Sequence, residues 1–130
     1  MYRWVDHTAE VELEIEAANE REVLEEALRA LAELLGIEEA HGDQRRTIAL
    51  QAGDRPALLA AWIEELAFLG ESEGFVATHI AELELRPAGL TATIAGVLDE
   101  PPPLVKAVTY HRLAFEPSGA GYVARVILDV

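Results

Sequence analysis

The sequence has 130 residues, 51% of them hydrophobic, which predicts one globular domain over residues 1–130. Its 24 Asp and Glu against 10 Lys and Arg give a formal net charge of −14, which disfavours a nucleic-acid-binding protein and favours a basic protein partner or a cation. The absence of cysteine excludes disulfides and thiolate sites, and the lack of a signal peptide or a membrane-length apolar run predicts a cytoplasmic protein without membrane contact.

The first predicted elements are a strand and a helix. Strict alternation in EVELEIEA predicts a strand over residues 10–17, with apolar side chains on one face and glutamates on the other. Asn19 fits the N-cap of the helix that follows, and Gly36 is expected to end it. The apolar positions of this helix follow helical spacing and are Leu24, Ala27, Leu28, Leu31, Leu34 and Leu35.

A second strand and a second helix are expected after a loop over residues 37–44. The strand is RRTIALQA, residues 45–52, and GDRP then opens the helix, with Asp54 as its N-cap and Pro56 in its first turn. Gly70 is expected to end this helix. Its inward stripe consists of Leu58, Leu59, Trp62, Ile63, Leu66 and Leu69.

The remaining residues are predicted to form four strands, at 75–86, 90–98, 105–115 and 121–129. The connections PAG, DEPPP and PSGAG are short and rich in Gly and Pro, which favours antiparallel neighbours. The sequence therefore predicts an α+β fold, with two helices packed on a mostly antiparallel β-sheet.

Glutamates at every second position of the first strand are the most conspicuous acidic feature. Such a pattern normally marks the solvated face of a strand, and this is our interpretation of Glu12, Glu14 and Glu16. By this interpretation, the row alone does not make a site.

The segment DHTAE, residues 6–10, is different because it precedes the regular strand. Irregular backbone there can present Asp6 and His7 to a ligand. Local hydrogen bonding within a turn is the alternative role for the same side chains.

The run YVARVILDV ends the sequence with Asp129 and Val130. Asp129 shares a strand face with Val123 and Ile127, and unpaired negative charge beside a core strand is costly. Lys106 could compensate it, and so could a hard divalent cation bound by oxygens from both ends of the chain. A solvated, frayed terminus is the alternative.

Motifs for autonomous catalysis are missing from the sequence. It contains no persuasive Ser-His-Asp spacing, no P-loop, no GxGxxG and no HExxH. We therefore expect that the protein is not an enzyme.

Four segments together, DHTAE, DRPALLAAWIEELAFLGESEGFVA, LVKAVTYH and VILDV, resemble the archease family over essentially the whole chain. The resemblance implies an α+β accessory protein that promotes guanylylation and repeated turnover of an RtcB-type RNA ligase, in tRNA splicing or RNA repair. It also implies an acidic site for a divalent cation, commonly calcium. Oxygen donors favour calcium, magnesium or manganese over zinc.

The resemblance also assigns residues. It places metal ligands at Glu10, at Asp129 and, through its main chain, at Val130. The other positions that it marks as functional are Asp6, His7 and Lys106. Glu10 departs from the family, which has Asp there, and the added methylene can move or weaken the site. The turn VLDEPPPL is a second departure, because many relatives carry a longer, histidine-containing segment there.

Two other functions remain open at this stage. One is a chaperone-like modulator of a tRNA methyltransferase, an older proposal for the family that the chain resembles. The other is a stand-alone metal-dependent hydrolase or nucleotidyl-transfer enzyme that uses the same acidic cluster.

Overall fold

The computed structural model describes residues 1–7, 9–37, 42–101 and 104–130, with the backbone only at His7. In chain order the described elements are β1 (Tyr2–His7), β2 (Glu10–Ala17), α1 (Glu20–Leu34), β3 (Gln44–Gln51), α2 (Arg55–Glu73), β4 (Phe75–Arg86), β5 (Gly89–Leu98), β6 (Ala107–Ser118) and β7 (Gly121–Asp129). The α+β class is confirmed. The predicted loop at 37–44 and the DEPPP turn fall partly outside the described residues.

The strands form two antiparallel sheets rather than the single sheet that the sequence suggested. Sheet A has the order β1-β2-β7-β6, and sheet B has the order β3-β5-β4. The division arises because β2 pairs with β7, which brings the N-terminal and C-terminal hairpins together. The central hairpin of β4 and β5 pairs with β3 instead.

Both helices contribute to one hydrophobic core. The helix α1 contacts β1, β2 and β7 of sheet A and β4 of sheet B, and α2 contacts β6, β7, β3 and β4. The predicted inward stripe of α2 is buried at every position. At its centre, the fully buried Trp62 donates its indole N–H to the carbonyl of Leu24 on α1 at 3.0 Å, so the polar atom of this large side chain is satisfied.

The helix starts follow the sequence, whereas one helix end does not. Asn19 and Asp54 cap α1 and α2 through their side-chain oxygens, as predicted. The prediction that Gly70 ends α2 is wrong, because Gly70 is buried inside the helix. Gly74 ends it instead: its φ of 63° is the left-handed conformation that glycine adopts without strain, and its N–H donates to the carbonyl of Leu69.

The segment before β2 is also more regular than expected. Residues Tyr2–His7 form the strand β1, which pairs residue by residue with β2 from Tyr2 opposite Ile15 to His7 opposite Glu10. The expectation of irregular backbone at Asp6 is therefore wrong. Tyr2 and Trp4 occupy alternate positions of this segment and both pack against the core.

Candidate functional site

The end of sheet A brings the two predicted carboxylate ligands together. Glu10 of β2 is the direct register partner of Asp129 of β7, and His7 and Ala107 extend the same row on either side. Directly opposed residues place their side chains on the same face of a sheet. Glu10 and Asp129 are both half-buried, and neither forms an ion pair within the described residues. We call these two residues the carboxylate pair.

Main-chain hydrogen bonds hold three segments around the carboxylate pair. The N–H of Lys106 donates to the carbonyl of Asp129 at 2.8 Å, and the N–H of Val130 donates to the carbonyl of Ala9 at 3.4 Å. Ala9 has a φ of 59°, an uncommon conformation for a residue with a Cβ. The chain therefore positions the main chain of Val130 next to the β1–β2 connection.

Lys106 does not compensate the carboxylate pair in the described part of the structure. It lies just before β6 rather than inside the predicted strand, its side chain is exposed, and it makes no ion pair with any described residue. Its charge is therefore available to solvent or to a partner.

Asp6 is separated from the carboxylate pair by the alternation of the strand. Its register partner is Val11, whose side chain packs against the core. Since neighbouring strand residues point to opposite faces, Asp6 belongs to the other face of sheet A from Glu10. The side chain of His7 lies outside the described residues.

The donor set at this end of sheet A fits a hard cation better than zinc. Two half-buried carboxylates repel each other unless a positive charge lies nearby, and carboxylate and main-chain oxygens are ligands of calcium and magnesium. In the described ranges, however, no group of three or more His, Asp or Glu side chains is close enough to hold a metal ion. The ligand roles of Glu10, Asp129 and Val130 therefore stay a prediction.

Glu12 corrects the interpretation of the glutamate row as a solvated face. It is 2% exposed and accepts a hydrogen bond from Nη1 of Arg112 at 2.9 Å. The cause is an irregularity in β6. Between the register pairs Thr109–Ile127 and Ala114–Arg125, the four residues 110–113 of β6 oppose a single residue of β7. We call residues 110–113 the β6 excursion.

The other glutamates of the row have different surroundings. Glu14 accepts a hydrogen bond from Nε of Arg3 at 2.7 Å. The Arg3 hydrogen bond and the nearby charges of Arg3 and Arg125 lower the pKa of Glu14, although burial acts in the opposite direction. Glu16 is exposed, as predicted. The evenly spaced acids of β2 thus occupy four distinct environments.

Sequence reasoning missed Arg112 as the partner of Glu12. The signal that could have indicated it is the run Tyr110, His111 and Arg112, where the alternation of β6 fails between Val108 and Leu113. Such a failure is typical of a bulge. Nothing in the pattern indicates which residue the displaced arginine would meet.

Comparison with known proteins identifies the family. The model of the Archease protein family (MTH1598/TM1083) matches residues 2–130. The chain belongs to the archease family. The archease of Archaeoglobus fulgidus is 30% identical over 141 residues, with 99% of this chain and 98% of that protein covered. The archease of Methanosarcina barkeri is 29% identical over 139 residues, with coverage of 99% and 95%.

Solved archease-type structures share the fold. Protein 1598 of Methanobacterium thermoautotrophicum, at 25% identity, superposes with a TM-score of 0.75 over 99% of this chain and 98% of that one. The Thermotoga maritima structure, described as an archease and possible chaperone, gives a TM-score of 0.68 at 23% identity over 100% and 98%. No helix in the described part of the chain is long and apolar enough to cross a membrane.

Proposed function

We propose that this archease is a divalent-cation-binding accessory protein that activates an RtcB-type RNA ligase, promoting its guanylylation and turnover in tRNA splicing or RNA repair. The observation that carries the proposal is the carboxylate pair, in which Glu10 and Asp129 from opposite ends of an archease chain lie side by side without a described counter-charge. The description of the Thermotoga relative as a possible chaperone supports a role exerted on another protein.

The cation would be held by the side chains of Glu10 and Asp129 and by main-chain oxygen of Val130. When bound, it would supply positive charge between two carboxylates that otherwise repel each other. The residues themselves connect β7 to the β1–β2 hairpin, so occupancy of the site would stabilise the joint between the two ends of the chain.

The partner is expected to present a basic surface. A net charge of −14 favours association with positive protein surfaces and opposes association with free RNA. Raising the ionic strength should slow association with the ligase, because complementary charge mainly sets the on-rate. Tight, salt-sensitive binding to tRNA in the absence of ligase would contradict this part of the proposal.

The decisive experiment measures guanylylation of a purified RtcB-type ligase with and without this protein and calcium. Wild-type protein should raise the rate of guanylylation, Asp129→Asn should not, and Glu16→Gln, which changes an exposed acid on the same sheet face, should behave as wild type. No stimulation by wild-type protein would refute the proposal. RNA or nucleotide turnover by the protein alone would identify it as an enzyme instead.

A further inference from the structure

The ion pair between Glu12 and Arg112 spans three strands of sheet A. Glu12 is on β2 and Arg112 is on β6, and β7 lies between these strands. The guanidinium therefore reaches across β7, on the face where Ile127 is the register partner of Glu12. Ile127 is only 4% exposed, so this part of the outer face is shielded from solvent where the arginine crosses it.

This arrangement is costly for the fold. Among the described residues, Glu12 is the one charged residue that is buried, and Arg112 has a φ of 58° in the left-handed region. Burying a carboxylate requires full compensation, and a left-handed residue other than glycine is strained. An apolar pair and a regular β6 would avoid both costs. Strain of this kind is often retained where a particular local shape is needed.

The local shape that the Glu12–Arg112 ion pair holds in place is that of the β6 excursion. The excursion turns directly after Thr109, whose Oγ1 accepts a hydrogen bond from the N–H of His111 at 3.3 Å. It returns to the core at Leu113, which packs against buried residues. Between these two points, the side chains of His111 and Tyr110 are exposed, Tyr110 at 63%.

The excursion lies close to the carboxylate pair. Ala107 is in the same row as Asp129, and Tyr110 follows three residues later in the same strand. At about 3.3 Å per residue along a strand, Tyr110 lies roughly 10 Å from the row that contains the carboxylate pair. Glu12 is also only two residues from Glu10 on β2, so one strand carries both a member of the carboxylate pair and the anchor of the excursion.

We propose that the Glu12–Arg112 ion pair is a clamp that fixes the β6 excursion, and that the excursion presents Tyr110 to the partner protein beside the carboxylate pair. Glu12 and Arg112 are then positioning residues, and Tyr110 is the contact residue. The contact with a partner rests on the proposed function, whereas the clamp itself does not.

The clamp is tested on the isolated protein by hydrogen exchange of the amides of residues 109–114. Glu12→Gln and Arg112→Met should each raise exchange there by about tenfold or more, as expected for a segment that has lost its anchor. The double variant should exchange no faster than either single variant, because both changes remove the same interaction. Arg112→Lys, which keeps the charge, should restore part of the protection. Unchanged exchange in both single variants would show that the ion pair does not fix the β6 excursion.

A matched control and a second variant separate the clamp from general loss of folding. Glu16→Gln removes an exposed acid from the same face of β2 and should leave exchange in the excursion unchanged. Tyr110→Ala alters an exposed side chain, so it should fold normally and keep the excursion protected. Equal loss of protection in Glu16→Gln and Glu12→Gln would contradict a specific role for the ion pair.

The partner contact is tested by titrating each variant against an RtcB-type ligase in the guanylylation assay. Tyr110→Ala and Glu12→Gln should need about tenfold or more protein for half-maximal stimulation, as for loss of an interfacial aromatic anchor, while calcium affinity stays unchanged. Normal stimulation by both variants would overturn the contact. If the wild-type protein itself gives no stimulation, the proposed function and the partner contact both fail, and the exchange data still decide whether the clamp exists.

Discussion

The two sheets of this archease differ in the size and the surroundings of their strand irregularities. Sheet B contains two small bulges in β4, and at each of them β4 has one residue more than β5. Sheet A contains the four-residue β6 excursion and the two non-glycine residues with positive φ found in the described part of the chain, Ala9 and Arg112. It also contains the buried carboxylate of Glu12 and the carboxylate pair.

Sheet A is therefore the part of the molecule where charged groups and specific contacts are concentrated. The bulges of sheet B adjust the twist of a strand and need no charged partner to do so. The irregular positions of sheet A each make a specific contact: the carbonyl of Ala9 accepts the N–H of Val130, and the guanidinium of Arg112 pairs with Glu12. If this contrast is correct, matched substitutions should have larger and more specific effects on sheet A than on sheet B.

The largest effect on stability is expected from Arg112→Met. The substitution leaves Glu12 buried without a counter-charge, which should lower the free energy of unfolding by about 3 kcal/mol, the low end for a broken buried pair because Arg112 itself is half exposed. Urea unfolding measures the change. The control is Arg45→Met in β3 of sheet B, an exposed position where the change should stay within about 0.5 kcal/mol. Equal losses of stability at the two positions would contradict the difference between sheet A and sheet B.

A similarly large but conditional effect is expected from Asp129→Asn. Wild-type protein at a calcium concentration about 100 times the dissociation constant should gain about 2.7 kcal/mol of stability by mass action, and the variant should gain none. Thermal unfolding with calcium and with chelator tests this. Glu82→Gln, at an exposed acid of β4 in sheet B, should retain the full calcium response. Undiminished calcium binding by Asp129→Asn in calorimetry would show that the site is elsewhere.

Lys106→Met should separate function from stability. The side chain is exposed and has no described ion-pair partner, so the free energy of unfolding should change by less than about 0.5 kcal/mol. If the ammonium group contacts an acid or a phosphate of the ligase complex, stimulation should weaken about tenfold, which corresponds to about 1.4 kcal/mol. Full stimulation by the variant would refute a functional role for Lys106, whereas a large loss of stability would indicate a structural role.

The same differences show how much of the structure could be predicted from the sequence. Local signals predicted most elements, because alternation in β2 and the caps Asn19 and Asp54 depend on neighbouring residues. Alternation identified the outer face of β2 but could not indicate what covers it. The cover over Glu12 is supplied by Arg112, 100 residues later in the chain.

The candidate site divides in the same way. The family resemblance indicated Glu10 and Asp129, and pairing between β2 and β7 places them side by side. Residue pattern alone could not have predicted this pairing, since it joins strands from opposite ends of the chain. The family resemblance also marks Asp6 as functional, but the two-residue period of the strand assigns it to the opposite face from Glu10.

The last expected effect is confined to alkaline pH and concerns the contact between sheet A and α1 at Tyr2. Burial of the phenol, its hydrogen bond to the carboxylate of Glu33 and the negative charges of Glu33 and Glu26 raise the pKa of Tyr2 to about 12 from its ordinary value of 10.0, although Arg29 acts in the opposite direction. The folded state therefore favours the neutral phenol, so the associated stability is complete below about pH 10 and is lost as the pH rises towards 12.

Titration of tyrosinate absorbance tests this prediction. Wild-type protein should show one tyrosine that ionises near pH 12, and Tyr2→Phe should lack that step. The same variant should lose less stability than wild type as the pH rises from 10 to 12, because it no longer carries a proton that the unfolded chain gives up first. Tyr110→Phe, at the exposed ring of the β6 excursion, should leave the step near pH 12 in place. A step that survives in Tyr2→Phe would show that another group produces it, and the assignment of the raised pKa to Tyr2 would then be wrong.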